Sequence, residues 1–202
     1  FQDQGEGKQN FGSGSILSDV KTDFGGGYTP QSATGDFRGN INLRKSLALS
    51  RNIPAIKAMA VSGLEPSLKT IRAMGDKYYC TQGREQQAGL SSAIGGCGTR
   101  MIDHVNAMAS LARGGVYKPH TSILEVKNSS GDVLKKYSNE QKKVIDPQAA
   151  YIVNDILGDR DARIPLYGRS ITPELDAAGV RVGVKTGTSN AEINNVIQPK
   201  DI

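Results

Sequence analysis

Glycine stops nearly every helical period in this chain, and that limits it to short helices. The apolar spacing of 55–62 ends at Gly63, that of 64–74 at Gly75, that of 100–113 at Gly114-Gly115 and that of 148–157 at Gly158. A residue that accepts positive φ closes a helix C-terminus without steric cost. Helix starts lie between these stops. Pro54 sits where a first turn tolerates proline, Thr99 can cap RMIDHVNAMASLAR, and Asp146-Pro147 opens QAAYIVNDIL. Within that middle helix Met101, Ile102, Val105, Met108, Ala109 and Leu111 fall on one broad face.

The flanking segments read differently. FGSGS and FGGGYTPQSATG make residues 1–40 a loop-rich lead-in. INLRKSLALS carries Leu43, Leu47 and Leu49 as a short helical patch, which SRN breaks. TSILEVK and VLKKY flank NSSGD, so 121–137 is expected to be a hairpin. GVRVGV, residues 179–184, alternates Val with small or charged residues and reads as a strand running into KTGTS. Short helices between two strand regions predict an α+β domain. Its expected parts are the lead-in 1–40, a mainly helical 41–120, and a hairpin, helix and strand over 121–202. No repeat of 20–50 residues is visible.

Composition excludes several classes. A hydrophobic fraction of 37% with 22% charged residues is that of a packed domain rather than a disordered chain. The net charge of +5 is scattered, and Lys135-Lys136 and Lys142-Lys143 lack surrounding aromatic residues. Nucleic-acid binding, which needs a concentrated basic face, is not expected. No stretch approaches the roughly 18–20 apolar residues of a transmembrane helix. FQDQGEGKQN has no apolar core of a signal peptide, and the start at Phe1 reads as an excised or processed piece. Two histidines, His104 and His120, and two cysteines, Cys80 and Cys97, give no zinc spacing. The cysteines can form one disulfide or stay two buried thiols; the sequence leaves both open.

Two short motifs could carry chemistry. Ser50-Arg51-Asn52 lies at a helix-to-helix junction, where Ser and Asn most often serve as caps. Lys185-Thr186-Gly187-Thr188 offers an ammonium at a sheet rim, a glycine permitting close backbone approach, and two hydroxyls suited to an anion. A phosphate-binding loop is excluded by order, because Lys185 precedes Gly187.

Together, S-x-N followed by K-T-G are two of the three motifs of the serine β-lactamases and penicillin-binding proteins. Three longer stretches carry the resemblance: GDFRGNINLRKSLALSRNIPAIKAM, SSAIGGCGTRMIDHVNAMASLARGGVYKP and AGVRVGVKTGTSN. From about Ser15 to Asn190 the chain resembles the transpeptidase domain of bifunctional, class A penicillin-binding proteins. The resemblance implies a serine β-lactamase/transpeptidase-like α+β fold, with an antiparallel sheet flanked by helices plus a helical subdomain, cut at both ends. It implies a D,D-transpeptidase that acts on the D-Ala-D-Ala end of a peptidoglycan stem peptide and binds β-lactam antibiotics. Its setting would be extracytoplasmic, with a membrane anchor outside these residues, and the resemblance implies no metal or organic cofactor.

The resemblance also assigns roles. Ser50 would relay a proton, and Lys185 would hold the Ser50 oxygen and draw in the substrate carboxylate. Asn52 would bond the substrate peptide, Thr186 and Thr188 would meet the carboxylate, and Gly187 would let it approach. Arg51 stands where the family has a small or apolar residue and is expected to face solvent. The family nucleophile, the Ser of S-x-x-K, would lie upstream of Phe1. Ser18-Asp19-Val20-Lys21 matches that pattern, but in a Gly-rich loop region and only 32 residues before Ser50, so it is read as a decoy. Two other readings share the fold: a β-lactam sensor or β-lactamase, and a non-catalytic scaffold or binding domain.

Overall fold

The computed structural model describes residues 1, 10–81, 89–168, 178–193 and 196–201, those from 188 onward by backbone alone. In chain order the elements are β1 (Ile16–Asp19), β2 (Gly39–Asn42), α1 (Leu43–Ala48), α2 (Asn52–Ser62), α3 (Leu64–Met74), α4 (Met101–Ala112), β3 (Val116–Tyr117), β4 (Glu125–Lys127), β5 (Val133–Lys136), β6 (Lys142–Lys143), α5 (Pro147–Leu157), α6 (Arg160–Tyr167), β7 (Thr188–Ile193) and β8 (Val196–Asp201). They gather into two compact units, Phe1–Asn10 with Ile56–Val153, and Phe11–Ala55 with Asn154–Ile202. Among the described residues the strands form four separate two-stranded ladders, β1-β2, β3-β6, β4-β5 and β7-β8, all antiparallel.

The unit containing Ile56–Val153 is built on α3 and α4. Leu68 of α3 packs with Tyr79, Cys80 and Cys97, flanked by Leu64 and Ile71. Leu68 is 1% exposed, and burying it contributes about 2 kcal/mol. Cys80 and Cys97 form a disulfide with their Cα atoms 5.4 Å apart, so of the two possibilities open in the sequence the chain takes the first. Arg72, in the last turn of α3, donates to the carbonyls of Tyr79 and Cys80 at 2.9 and 3.0 Å, and the Tyr79 hydroxyl donates to the Ser92 carbonyl. A second cluster, Ile145, Ala149 and Ala150, packs with Phe1, Met74, Leu111 and Val144. Gly115 enters this contact with φ of 91°, and a Cβ there would collide with the Ile145 carbonyl.

α4 ends within a residue of where the sequence predicts, but only Leu111 of its six apolar-face residues packs in a core cluster. Met101, Ile102, Val105 and Met108 are exposed, Met101 to 83%, while Asp103, Asn106, Ala107 and Ser110 are buried. Polar bonds hold that inner face. The Ser110 hydroxyl donates to the Met74 carbonyl at 2.7 Å, and Arg100 pairs with Asp103. Thr99 does not cap the helix; its hydroxyl donates to Asp76, and Arg100 occupies the cap position. The 121–137 hairpin forms as β4 and β5, with a register shift between Val126 and Lys127.

The unit containing Phe11–Ala55 carries both sequence motifs. Inside the stretch read as loop, β1 pairs with β2 from Ile16↔Asn42 to Asp19↔Gly39. Four residues without clean alternation gave no strand signal. β2 runs directly into α1, whose N-cap Asn42 accepts from the Lys45 N–H at 2.8 Å. Arg44 on α1 bridges Asp155 and Asp159 at 2.6 and 2.8 Å. Asp159 also caps α6 by accepting from the Ala162 N–H. α1, α6 and the end of α5 are thereby tied by a single guanidinium.

The expected strand over 179–184 is absent: the ladder starts at Thr188 instead. Alternation marks a segment that could pair, and pairing needs a partner. Here the Val184 N–H is spent on the Leu157 carbonyl at the end of α5, at 3.0 Å.

Candidate active site

α1 ends in a Schellman motif. The Ser50 N–H donates to the Leu47 carbonyl at 3.1 Å and the Arg51 N–H to the Ser46 carbonyl at 2.9 Å, which puts Ser50 at the left-handed position after the cap. Glycine usually fills that place. Ser50 fills it with φ of 53°, one of two non-glycine residues with positive φ among those described. For an L-residue the conformation costs about 1–2 kcal/mol. Strain of this kind gathers at functional sites, where the surroundings over-determine it. The turn projects the Ser50 hydroxyl clear of α1 and starts α2 two residues later.

That hydroxyl meets Lys185. The Lys185 Nζ donates to Ser50 Oγ at 2.7 Å, between residues 135 apart in sequence, and to the Thr186 carbonyl at 2.8 Å. Desolvation by the surrounding atoms pulls the Lys185 ammonium below its ordinary pKa, although the side chain as a whole keeps contact with solvent. The segment carrying it is anchored at two points before it arrives. Arg181 pairs with Asp155 at 2.6 Å, and Val184 bonds Leu157, whose carbonyl also accepts from Arg163. The Thr186 hydroxyl shares a short hydrogen bond with the Tyr167 hydroxyl at the end of α6.

Asn52 opens α2 with its backbone N–H on the Ser32 hydroxyl at 3.1 Å and its side-chain amide on the Gln31 carbonyl at 2.6 Å. One amide N–H and the amide oxygen still have capacity for another partner. Arg51 does not face solvent. It is 3% exposed. Its Nε pairs with Asp19 at 2.7 Å, Nη1 bonds the Asp36 carboxylate and the Thr34 hydroxyl at 2.8 Å each, and Nη2 donates to the Asp36 carbonyl. The Arg38 N–H donates to Asp19 at 3.1 Å, and the Arg38 side chain bridges Asp36. The Thr34 hydroxyl, with Arg51 beside it, holds the Asp36 carboxyl down to about 2.

The residues singled out in the sequence therefore divide. Ser50, Lys185 and Thr186 come together, and Asn52 is two residues from Ser50 on the following helix. Gly187 precedes β7, with nothing within 4 Å of the place a Cβ would take. The backbone of Thr188 opens β7 opposite Asp201, and its side chain lies outside the described residues. Ser18 lies on β1 rather than in a loop. An extended chain denies Ser18 and Lys21 the one-turn helical spacing that sets a serine and a lysine side by side. Asp19, Asp36 and Tyr167 were not anticipated. Asp19 stood inside the decoy motif, and no local pattern marks the other two.

The chain matches no protein-family model. It is 31% identical over 171 residues to penicillin-binding protein 2D of Bacillus subtilis strain 168, covering 82% of this chain and 23% of that one. Among solved structures it resembles the penicillin-binding protein PonA1 of Mycobacterium tuberculosis, with a TM-score of 0.73 at 21% identity over 93% of this chain and 50% of that one. It also resembles penicillin-binding protein 3 of the same organism, solved in complex with aztreonam, with a TM-score of 0.68 at 18% identity over 91% of this chain and 45% of that one. The chain thus spans about a quarter of the curated relative and about half of each solved chain. At these identities the structural likeness gives the fold, the α+β architecture of penicillin-binding transpeptidase domains.

Proposed function

From the premise that this chain is homologous, over most of its length, to a segment of the penicillin-binding proteins, we infer that its residues form part of a D,D-transpeptidase domain that cross-links peptidoglycan. The observation that carries the reading is the 2.7 Å bond from Lys185 to Ser50 across 135 residues of sequence. Two motifs distant in the chain supply an ammonium and a hydroxyl to one another, as proton transfer at a serine acyl-enzyme centre requires.

In this reading a serine hydroxyl attacks the carbonyl between the two D-alanines of a stem peptide. An ester forms, the peptide bond breaks, and D-alanine leaves with a proton. An amine of a neighbouring stem then attacks the ester, an amide forms, and the serine recovers its proton. A β-lactam ring, with its strained amide, takes the place of that peptide. The nucleophilic serine is not assigned to these 202 residues, and Ser18 on β1 is not offered for the role. Ser50 passes the proton between the nucleophile and the departing or arriving amine. Lys185 keeps the Ser50 oxygen aimed by a charge-assisted hydrogen bond and attracts the substrate carboxylate.

The free donor and acceptor of Asn52 bond the substrate backbone. Thr186 and Thr188 receive the carboxylate beside Gly187, and the Thr188 N–H supplies one donor to the oxyanion. Removing one such donor typically costs about 2.7–4 kcal/mol in the transition state. The disulfide supports an extracytoplasmic setting, because such bonds persist in oxidising compartments.

The test is acylation by a fluorescent penicillin in the full-length protein. Ser50→Ala and Lys185→Ala are each expected to slow acylation by about 100-fold or more, the range seen when one group that stabilises a transition state is removed. Rates near that of the wild type in both variants would remove the assignment.

A further inference from the structure

We propose that Arg51, the middle residue of the S-x-N triplet, is a positioning residue that locks Ser50 in its left-handed conformation and so aims the Ser50 hydroxyl at Lys185. This deepens the transpeptidase reading and rests on it. Backbone hydrogen bonds close the α1 terminus at Ser46 and Leu47, so no buried ion pair is needed to end the helix. The chain nevertheless buries a guanidinium there and satisfies it with two carboxylates, a hydroxyl and a carbonyl. Burying such a charge is costly unless its partners are held in place.

The partners are held. Asp19 ends β1, where the ladder pairs it with Gly39, and it also accepts the Arg38 N–H. Asp36 is braced by the Arg38 side chain and the Thr34 hydroxyl. Asn52, on the other side of Arg51, grips the same loop through Gln31 and Ser32. Arg51 follows Ser50 directly, and its own N–H makes the second capping bond, to the Ser46 carbonyl at 2.9 Å. A fixed Arg51 leaves Ser50 no freedom to relax to negative φ. Without the clamp, relaxation is downhill for an L-residue and swings Oγ away from the ammonium. The planar fork is essential. A lysine, with three donors on a single nitrogen, cannot serve the four acceptors that the three guanidinium nitrogens reach at Asp19, Asp36 and Thr34.

Arg51→Lys in the full-length protein tests this while keeping a positive charge beside Asp19. Acylation by a fluorescent penicillin is resolved into the non-covalent binding constant, the acylation rate constant and the fraction finally labelled, with Ser50→Ala measured alongside. The expected result is an acylation rate constant at least 10-fold lower, with binding within 2-fold of wild type and complete labelling. Loss of folding alone would lower the labelled fraction and leave the rate constant of the folded remainder intact. A rate constant within 2-fold of wild type in Arg51→Lys, with Ser50→Ala strongly impaired, would overturn the positioning role. Wild-type rates in Ser50→Ala would instead overturn the transpeptidase reading beneath it. If Arg51→Lys does not fold, Asp36→Asn carries the test, because it keeps the Asp19 pair and weakens one arm of the clamp. A several-fold slower rate constant supports the proposal, and an unchanged one overturns it.

Discussion

A serine at a left-handed helix terminus carries a cost that glycine at the same place does not. Ser50→Gly and Ser50→Ala both delete the hydroxyl, but only the first removes the strain. Ser50→Gly is therefore expected to be more stable than Ser50→Ala by about 1 kcal/mol, read from denaturant unfolding of the two variants, while both lose acylation. Equal stabilities would mean that φ at this position carries no strain. The sequence exposes Ser50 and Lys185 because each sits in a motif only three or four residues long. Arg51 was misread for the opposite reason. Its partners lie 32 and 15 residues away, and no local spacing signals that a charged side chain between two polar ones will be buried. Tyr167 escaped in the same way, because its hydroxyl partner Thr186 lies 19 residues away.

At the scale of elements, the helix ends were legible and the helix faces were not. Gly63, Gly75 and Gly114 follow helices with positive φ, a backbone reason that neighbouring residues do not supply, while Gly158 follows α5 without it. The inward face of α4 depends on hydrogen bonds to α3, and a purely apolar period points to the wrong side. The strand expected over 179–184 failed because a ladder belongs to two segments, and only one was visible in the pattern. The disulfide is the strongest local tie that composition could not decide. It closes a loop with a sequence separation of 17, a length for which chain entropy predicts about 3 kcal/mol. Cys80→Ser/Cys97→Ser, or reduction of the wild type, is expected to lower unfolding free energy by about 2–4 kcal/mol in urea titration. An unchanged midpoint would mean that the core around Leu68 and Tyr79 holds the loop without the bridge.

The two units are each assembled from segments far apart in the sequence. Their charges give the molecule a common acid response. Thr34 and Arg51 hold Asp36 down to about 2 from 3.8, Arg100 lowers Asp103, and Arg44 and then Arg181 lower Asp155. A carboxyl lowered in the folded state stabilises it fully above the unfolded value, and the contribution is lost as pH falls through the folded value. Thermal unfolding midpoints are thus expected to drop steeply below pH 4. The gap between wild type and Asp36→Asn should shrink as pH falls from 3.8 toward 2 and vanish below it. A gap that stays constant to pH 2 would mean that Asp36 is not charged in its pairing with Arg51. The four two-stranded ladders carry a further consequence. Every strand described has a neighbour on one flank only, so half of the lateral peptide groups in these ribbons must be answered by water, side chains or additional polypeptide. Among the described residues each ribbon therefore keeps two outer margins that no further strand of these ladders lines.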